Sequence, residues 1–114
     1  MPIHKIAEVL RRETRTEDAV ARVGGDEFMV LLPGMASEST LLQLGHRLIA
    51  ATQEPIPVDA NICHVSASIG ATMSQHYETV SAETMLADGD SALYSAKRSG
   101  RGCIRLHGSH VAKR

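Results

Sequence analysis

The segment Gly24-Gly25-Asp26-Glu27 combines two adjacent glycines with two adjacent carboxylates. Glycine has no Cβ, so the backbone can turn with positive φ and a phosphate or a base can approach it closely. Asp26 and Glu27 supply hard oxygen ligands, and Mg²⁺ commonly binds one or two carboxylates together with substrate phosphates. One carboxylate could also accept the proton of an attacking hydroxyl. For these four residues alone, an ordinary hairpin turn with solvated acids is the more common alternative.

A second charged pair, Lys97 and Arg101, lies near the end of a predicted helix. At a spacing of four residues both side chains would share one helix face and form a local cluster of basic groups that could bind an anion. The alternative is a solvated basic helix end that the helix dipole favours. Without further information, the second interpretation is the more common one.

The spacing of apolar residues predicts the elements that position these groups. Ser37 and Ser81 are predicted helix caps, Gly89 is a weak point within the last helix, and Gly100 is its stop signal. The predicted elements are a helix over 3–13, a hairpin of strands 19–23 and 28–32, a helix to about residue 52, strands 56–58 and 62–72, a helix after residue 81 and a strand over 103–106. Helices that alternate with hairpins in this way predict an α+β fold with a mostly antiparallel sheet.

The composition of the chain limits which classes of function are possible. With 114 residues, 43% of them hydrophobic, the chain suits one domain. A net charge of −1 and only three aromatic residues argue against a nucleic-acid partner. The sequence contains no apolar run of about twenty residues and no signal peptide, so we expect a cytoplasmic protein without a membrane partner. The two cysteines do not form a disulfide framework.

Four stretches of the sequence carry motifs in a fixed order. They are Arg-Val-Gly-Gly-Asp-Glu-Phe at 22–28 with an apolar strand after it, Val-Ser-Ala-Ser-Ile-Gly at 65–70, Asp-Ser-Ala-Leu-Tyr-Ser-Ala-Lys at 90–97 and Gly-Arg-Gly at 100–102. Together they resemble the GGDEF domain, whose last motif is Gly-Arg-Asn, so a glycine replaces the asparagine here. The chain, residues 1–114 with the signature hairpin at 19–33, is identified as a member of that family.

The resemblance implies a diguanylate cyclase domain that condenses two GTP into cyclic di-GMP with Mg²⁺. In that family the two glycines of the turn would approach GTP. Asp26 and Glu27 would hold Mg²⁺ and help activate a ribose 3′-hydroxyl for attack on the α-phosphate of the second GTP. Lys97 and Arg101 would bind the triphosphate. Because each domain binds one GTP, activity requires a homodimer.

The segment Arg15-Thr16-Glu17-Asp18 resembles the family's inhibitory Arg-x-x-Asp site, where cyclic di-GMP binds and blocks turnover. Arginine suits this role because its planar fork can bind guanine or phosphate. Arg47 of the second helix is the candidate secondary arginine. The alternative is a surface loop with a local ion pair, which is worth little.

The resemblance also implies a helix and a strand before residue 1, with the motif Asp-x-Asp-x-Phe-Lys-x-x-Asn-Asp. Without this central strand and its metal-binding aspartate, we expect little activity from the chain alone. We also expect exposed sheet edges that favour dimerisation or exchange of elements, or else marginal stability. A non-catalytic module that binds GTP or cyclic di-GMP in a larger signalling protein is the alternative function, and a structural oligomerisation piece is a third.

Overall fold

Helices and strand pairs alternate along the part of the chain that the computed structural model describes, residues 3–25, 27–53, 56–58, 61–63 and 67–108. The elements are α1 (Ile3–Glu13), β1 (Ala19–Gly24), β2 (Glu27–Leu31), α2 (Glu38–Thr52), β3 (Ile56–Val58), β4 (Asn61–Cys63), β5 (Ile69–Ala71), a 3₁₀ turn (Ser74–His76), α3 (Ala82–Arg98) and β6 (Ile104–Leu106). This order is the predicted one, except that the strand predicted over 62–72 is present as two strands and that the 3₁₀ turn was not predicted. Within the described residues, no helix is long and apolar enough to cross a membrane.

Serine caps begin two of the helices, as the sequence predicts. The Ser37 hydroxyl accepts a hydrogen bond from the Thr40 amide at 3.2 Å, and the Ser81 hydroxyl accepts one from the Thr84 amide at 3.3 Å. Each cap satisfies one of the amide donors that a helix leaves unpaired at its start. Helix α3 runs through Gly89 to Arg98, as predicted, and the stability cost of this glycine stays a prediction.

The main core lies between α1, α2 and the strands. Val9 and Leu10 of α1 are buried against Leu44 and Leu48 of α2, at the spacing of one helix face. Strand residues cover the same cluster, namely Val20, Phe28, Val30 and Ile69. The burial of these side chains therefore joins both helices to the hairpin and to β5.

The described strands form three pairs. The β1–β2 and β3–β4 pairs are antiparallel, and β5 pairs with β6 in parallel. Parallel strands need a long crossover, and α3 provides it. In the described part of the chain, β2 and β5 are not hydrogen-bonded to each other. The strand predicted over 62–72 is present as parts of β4 and β5, and residues 64–66 between them lie outside the described residues.

Strand β5 separates the two helical layers through its alternating side chains. Ile69 and Ala71 pack against the cores that α1 and α2 cover. Gly70 faces the other way, and a Cβ built on it would meet the backbone of Gly89 and Leu93 in α3. Because successive strand residues point to opposite faces, α1 and α2 lie on one side of β5 and α3 on the other. The fold is thus α+β with helices on both faces of the strands.

A polar network ties the 3₁₀ turn to the helices. The Tyr77 hydroxyl donates to Asp88 Oδ2 at 2.7 Å, and His107 Nε2 lies 3.4 Å from the same oxygen. Burial and the bond to Asp88 raise the pKa of Tyr77 to about 12. Nearby, His76 Nε2 lies 2.7 Å from Glu38 Oε2 at the start of α2. The residue after the 3₁₀ turn, Tyr77, therefore links the turn to Asp88 of α3.

Candidate nucleotide-binding site

The glycine-rich turn closes the β1–β2 hairpin. Arg22 pairs with Phe28 and Gly24 with Glu27, with a register shift between Arg22 and Gly24. Gly25 has a φ of +52°, in the left-handed region that glycine enters at little cost. Arg22 Nε donates to the Gly25 carbonyl at 2.8 Å and so ties the turn to its own strand. Asp26, a predicted catalytic and metal-binding residue, lies outside the described residues.

Helix α3 brings Lys97 to this turn. Lys97 Nζ lies 3.6 Å from Glu27 Oε2, although the two residues are far apart in the sequence. Both side chains are partly exposed, at 35% and 49%, so the ion pair itself adds little stability. Its value is positional, because it places a cation next to the carboxylate of the turn.

A shallow depression of about 250 Å³ lies at this junction. Residues of β2 and α3 line it, namely Glu27, Asp90, Leu93, Tyr94 and Lys97. Asp90 had no predicted role in the site, and its position in the Asp-x-Ala-Leu-Tyr motif was the signal available in the sequence. The depression therefore combines two carboxylates, one ammonium and an aromatic ring.

Arg101 lies beyond α3, which ends at Arg98. The expectation that it follows Lys97 by one helical turn is wrong, because Arg101 has a φ of +66°. Its amide donates to the Ala96 carbonyl at 3.2 Å, which closes the end of the helix. Gly102 also has a positive φ of +60°. Asparagine tolerates this conformation better than most residues, so the exchange between asparagine and glycine at this position preserves the turn.

The predicted inhibitory pair is held in one tight loop. The Arg15 amide donates to Asp18 Oδ2 at 2.7 Å, and Arg15 Nη2 donates to Oδ1 at 3.3 Å. Arg15 Nη2 also donates to the Pro33 carbonyl at 2.8 Å, just after β2. The Asp18 side chain is only 2% exposed. The bond from the Arg15 amide, aided by the Arg15 guanidinium, holds the pKa of Asp18 below its usual value although burial opposes this.

This lowered pKa predicts that the protein loses stability in acid. A carboxyl group whose pKa is depressed by folding stabilises the protein above its unfolded pKa, about 3.9, and this contribution disappears as pH falls through the folded pKa. We expect Asp18→Asn to lower the thermal midpoint at pH 7, and we expect its gap to the wild type to narrow as pH falls below about 3.9 and through the folded pKa. Melting curves between pH 7 and pH 3 measure this.

The matched control is Glu8→Gln, which removes another carboxylate from the exposed surface of α1. The thermal midpoint of this variant should change between pH 7 and pH 3 by the same amount as that of the wild type. A gap between Asp18→Asn and the wild type that is as large at pH 3 as at pH 7 would show that the ionised carboxylate does not carry the effect.

Arg47 contacts a different partner from those of Arg15. Its Nε donates to Glu13 Oε1 at 3.2 Å, so α2 is linked to the last residue of α1. Among the described contacts, none joins Arg47 directly to Arg15 or Asp18. The pair does place Arg47 against the segment that leads into Arg15. Sequence reasoning did not predict Glu13 as the partner of Arg47, which follows from side-chain packing, whereas the contact of Arg15 with Glu17 is a local ion pair of the kind given above as the alternative.

A family model described as "Diguanylate cyclase, GGDEF domain" matches residues 2–103 of the chain. The match covers the hairpin, both candidate sites and the three helices described above. The chain belongs to the GGDEF family.

The relatives agree with this assignment. Diguanylate cyclase TpbB of Pseudomonas aeruginosa is 43% identical over 103 residues, which are 89% of this chain and 23% of TpbB. The solved GGDEF domain of TpbB is 38% identical and superposes with a TM-score of 0.82, over 92% of this chain and 61% of that one. The GGDEF domain of DgcB from Caulobacter crescentus, solved in complex with c-di-GMP, shares the fold at 21% identity, with a TM-score of 0.84 over 94% of this chain and 63% of that one.

The chain therefore spans about a quarter of the length of TpbB.

Proposed function

We propose that this domain is a diguanylate cyclase domain that condenses two GTP into cyclic di-GMP with Mg²⁺ in the bacterial cytoplasm. The observation that carries the proposal is the 3.6 Å approach of Lys97 Nζ to Glu27 Oε2, which joins the glycine turn to the basic end of α3. Phosphoryl-transfer chemistry depends mainly on positioning and charge stabilisation, and a carboxylate beside an ammonium at an exposed turn offers both.

The roles follow from the chemistry of the side chains. Lys97 would bind the GTP phosphates as a compact cation, and Arg101 would add a second cation from the loop after α3. The glycines let the phosphates approach the backbone of the turn. Glu27, together with Asp26, would hold Mg²⁺, since its partly exposed carboxylate has the oxygen donors that this ion prefers. The metal, when bound, neutralises phosphate charge and favours ionisation of the attacking hydroxyl.

The reaction joins two identical nucleotides and therefore requires two such sites. We propose that two copies of the domain meet with their glycine turns facing each other, as a symmetric homodimer. Product inhibition at Arg15 and Asp18, with Arg47 as the secondary arginine, completes the proposal. The support is that Arg15 is already held by Asp18 and Pro33, so little ordering is needed for a ligand to bind.

A non-catalytic binding module is the second candidate. The observation that favours it is the separation of the Arg15 loop from the depression beside Lys97, since the two sites share no lining residue. A domain of this kind could bind cyclic di-GMP at Arg15 and Asp18 without turning over GTP. Its effect would then pass to other parts of a larger signalling protein.

The test is a calorimetric titration with cyclic di-GMP, followed by incubation with GTP and Mg²⁺ and chromatography of the products. We expect little turnover from the chain alone, without the strand that the family places before it. Formation of cyclic di-GMP from GTP, even at a low rate, supports the cyclase, and binding of cyclic di-GMP with no turnover at all supports the binding module. Absence of both activities in a folded sample would overturn the two proposals together.

Lys97→Met should weaken GTP binding or turnover by about 10- to 100-fold, because one charge-assisted phosphate contact is lost. Arg98→Met is the matched control. Arg98 is a neighbouring cation on the same helix, and its guanidinium lies 5.6 Å from the centre of the Tyr94 ring. Equal losses in the two variants would show that general charge, and not the position of Lys97, matters.

A further inference from the structure

Both arginines of the proposed inhibitory site contact a glutamate. Arg15 Nη1 lies 3.3 Å from Glu17 Oε2, and Arg47 Nε lies 3.2 Å from Glu13 Oε1. The first pair lies within the loop after α1, and the second joins α2 to the last residue of α1. A carboxylate therefore lies on each of the cations that a bound phosphate would need.

The contacts of Arg15 divide into two kinds. Its Nη2 donates to Asp18 and to the Pro33 carbonyl, and the nearly buried Asp18 and the backbone act as a frame. Its Nη1 is paired with Glu17, whose side chain is 57% exposed. The first set of contacts orients the guanidinium through a nearly buried carboxylate and the backbone, whereas the second is a contact with an exposed side chain. A carboxylate and a phosphate bind an arginine edge with the same geometry, so they compete for it.

We propose that Glu13 and Glu17 are built-in competitors that set the affinity of the inhibitory site for a phosphodiester ligand. This inference rests on the proposed function, because it takes Arg15 and Arg47 as the ligand-binding arginines. The phosphates of cyclic di-GMP displace the two carboxylates when they bind. The displaced glutamates stay nearby as repelling charges, so they lower the affinity without blocking the site.

The expected size of the effect follows from the exposure of the pairs. Exposed ion pairs are weak, and each changes an equilibrium constant by about 1.4- to 5-fold. Glu17→Gln together with Glu13→Gln should therefore tighten cyclic di-GMP binding by about 2- to 25-fold. The gain should be largest at low salt, because added ions screen the same charges.

The experiment compares calorimetric titrations of the whole chain with cyclic di-GMP. The test variant is Glu13→Gln/Glu17→Gln, and the matched control is Glu8→Gln/Glu78→Gln, which removes two exposed carboxylates elsewhere. The test variant should bind more tightly than the wild type, and the control should bind within twofold of it. Adding Arg15→Ala to the test variant should abolish the part of the gain that comes from Glu17, since no guanidinium then remains for Glu17 to cover, and should leave only the part that comes from Glu13 and Arg47.

The outcomes separate this inference from the proposed function. Arg15-dependent binding that is unchanged in the test variant would overturn the competitor role alone. Binding that does not depend on Arg15, or no binding by any variant, would overturn both the inhibitory site and the competitors. Equal gains in the test and control variants would assign the effect to net charge and would also overturn the inference. Thermal melts of each variant show whether the loss of the Glu13–Arg47 link merely loosens α1 from α2.

Discussion

Replacing Gly70 by alanine is expected to lower the free energy of unfolding by about 3 kcal/mol, which is the upper end of the usual range for overpacked core sites. A Cβ on Gly70 would collide with the Gly89 carbonyl oxygen and the Leu93 amide nitrogen, and would lie 2.7 Å from the Leu93 Cα. All three atoms belong to the backbone of α3, which cannot move aside as a flexible side chain can. The helix would have to shift away from β5.

Chemical denaturation followed by circular dichroism measures this loss, and Gly89→Ala is its matched control. A Cβ on Gly89 would meet only the Thr72 Cγ2, at 3.9 Å. Because alanine favours a helix over glycine by about 1 kcal/mol, this variant should be slightly more stable than the wild type. Similar stabilities for Gly70→Ala and the wild type would mean that α3 is free to slide over β5.

Replacing Arg15 by alanine is expected to weaken cyclic di-GMP binding by about a hundredfold. Two hydrogen bonds to a charged ligand, each at the low end of the usual range, about 1.5 kcal/mol, because the side chain is half exposed, account for a loss of that size. The loop itself should survive, because the amide of residue 15 still donates to Asp18 Oδ2, a contact of 2.7 Å that needs no side chain. The loss would therefore report on the ligand and not on folding, and calorimetric titration measures it.

Two further variants sharpen this prediction. Arg15→Lys keeps the charge but not the planar fork, so it should recover only part of the affinity. Arg11→Ala removes a comparable exposed cation from α1 and should leave the affinity nearly unchanged. Full affinity in Arg15→Lys would show that the site needs only a positive charge. Full affinity in Arg15→Ala would remove Arg15 from the site altogether.

Much of the fold follows from signals that act over a few residues. Ser37 and Ser81 cap α2 and α3 as predicted because a hydroxyl reaches an amide three residues further along the same chain. The hairpin forms around Gly24-Gly25 because the glycine backbone turns where other residues would be strained. The helix bounds agree closely with prediction for the same reason, since apolar periodicity is a local property.

The site was predictable to a smaller extent. The motifs predicted which residues carry chemistry, and the geometry brings Glu27 and Lys97 together. The position of Arg101 was not predictable from helical spacing, because the helix stops before it and the chain turns with positive φ. The bond between Tyr77 and Asp88 was missed as well, since only the packing of the 3₁₀ turn on α3 creates it.

The sequence by itself determined the element order, the caps, the glycine turn and the family, because each depends on neighbouring residues or on motif order. Only the tertiary structure decided which distant charges meet. Glu13 and Arg47 are 34 positions apart, and Glu27 and Lys97 are 70 positions apart. Nothing in the sequence near either partner specifies the other. Their contacts arise when apolar faces bury themselves and bring helices and strands into register, so charge pairing follows from the packing of the core.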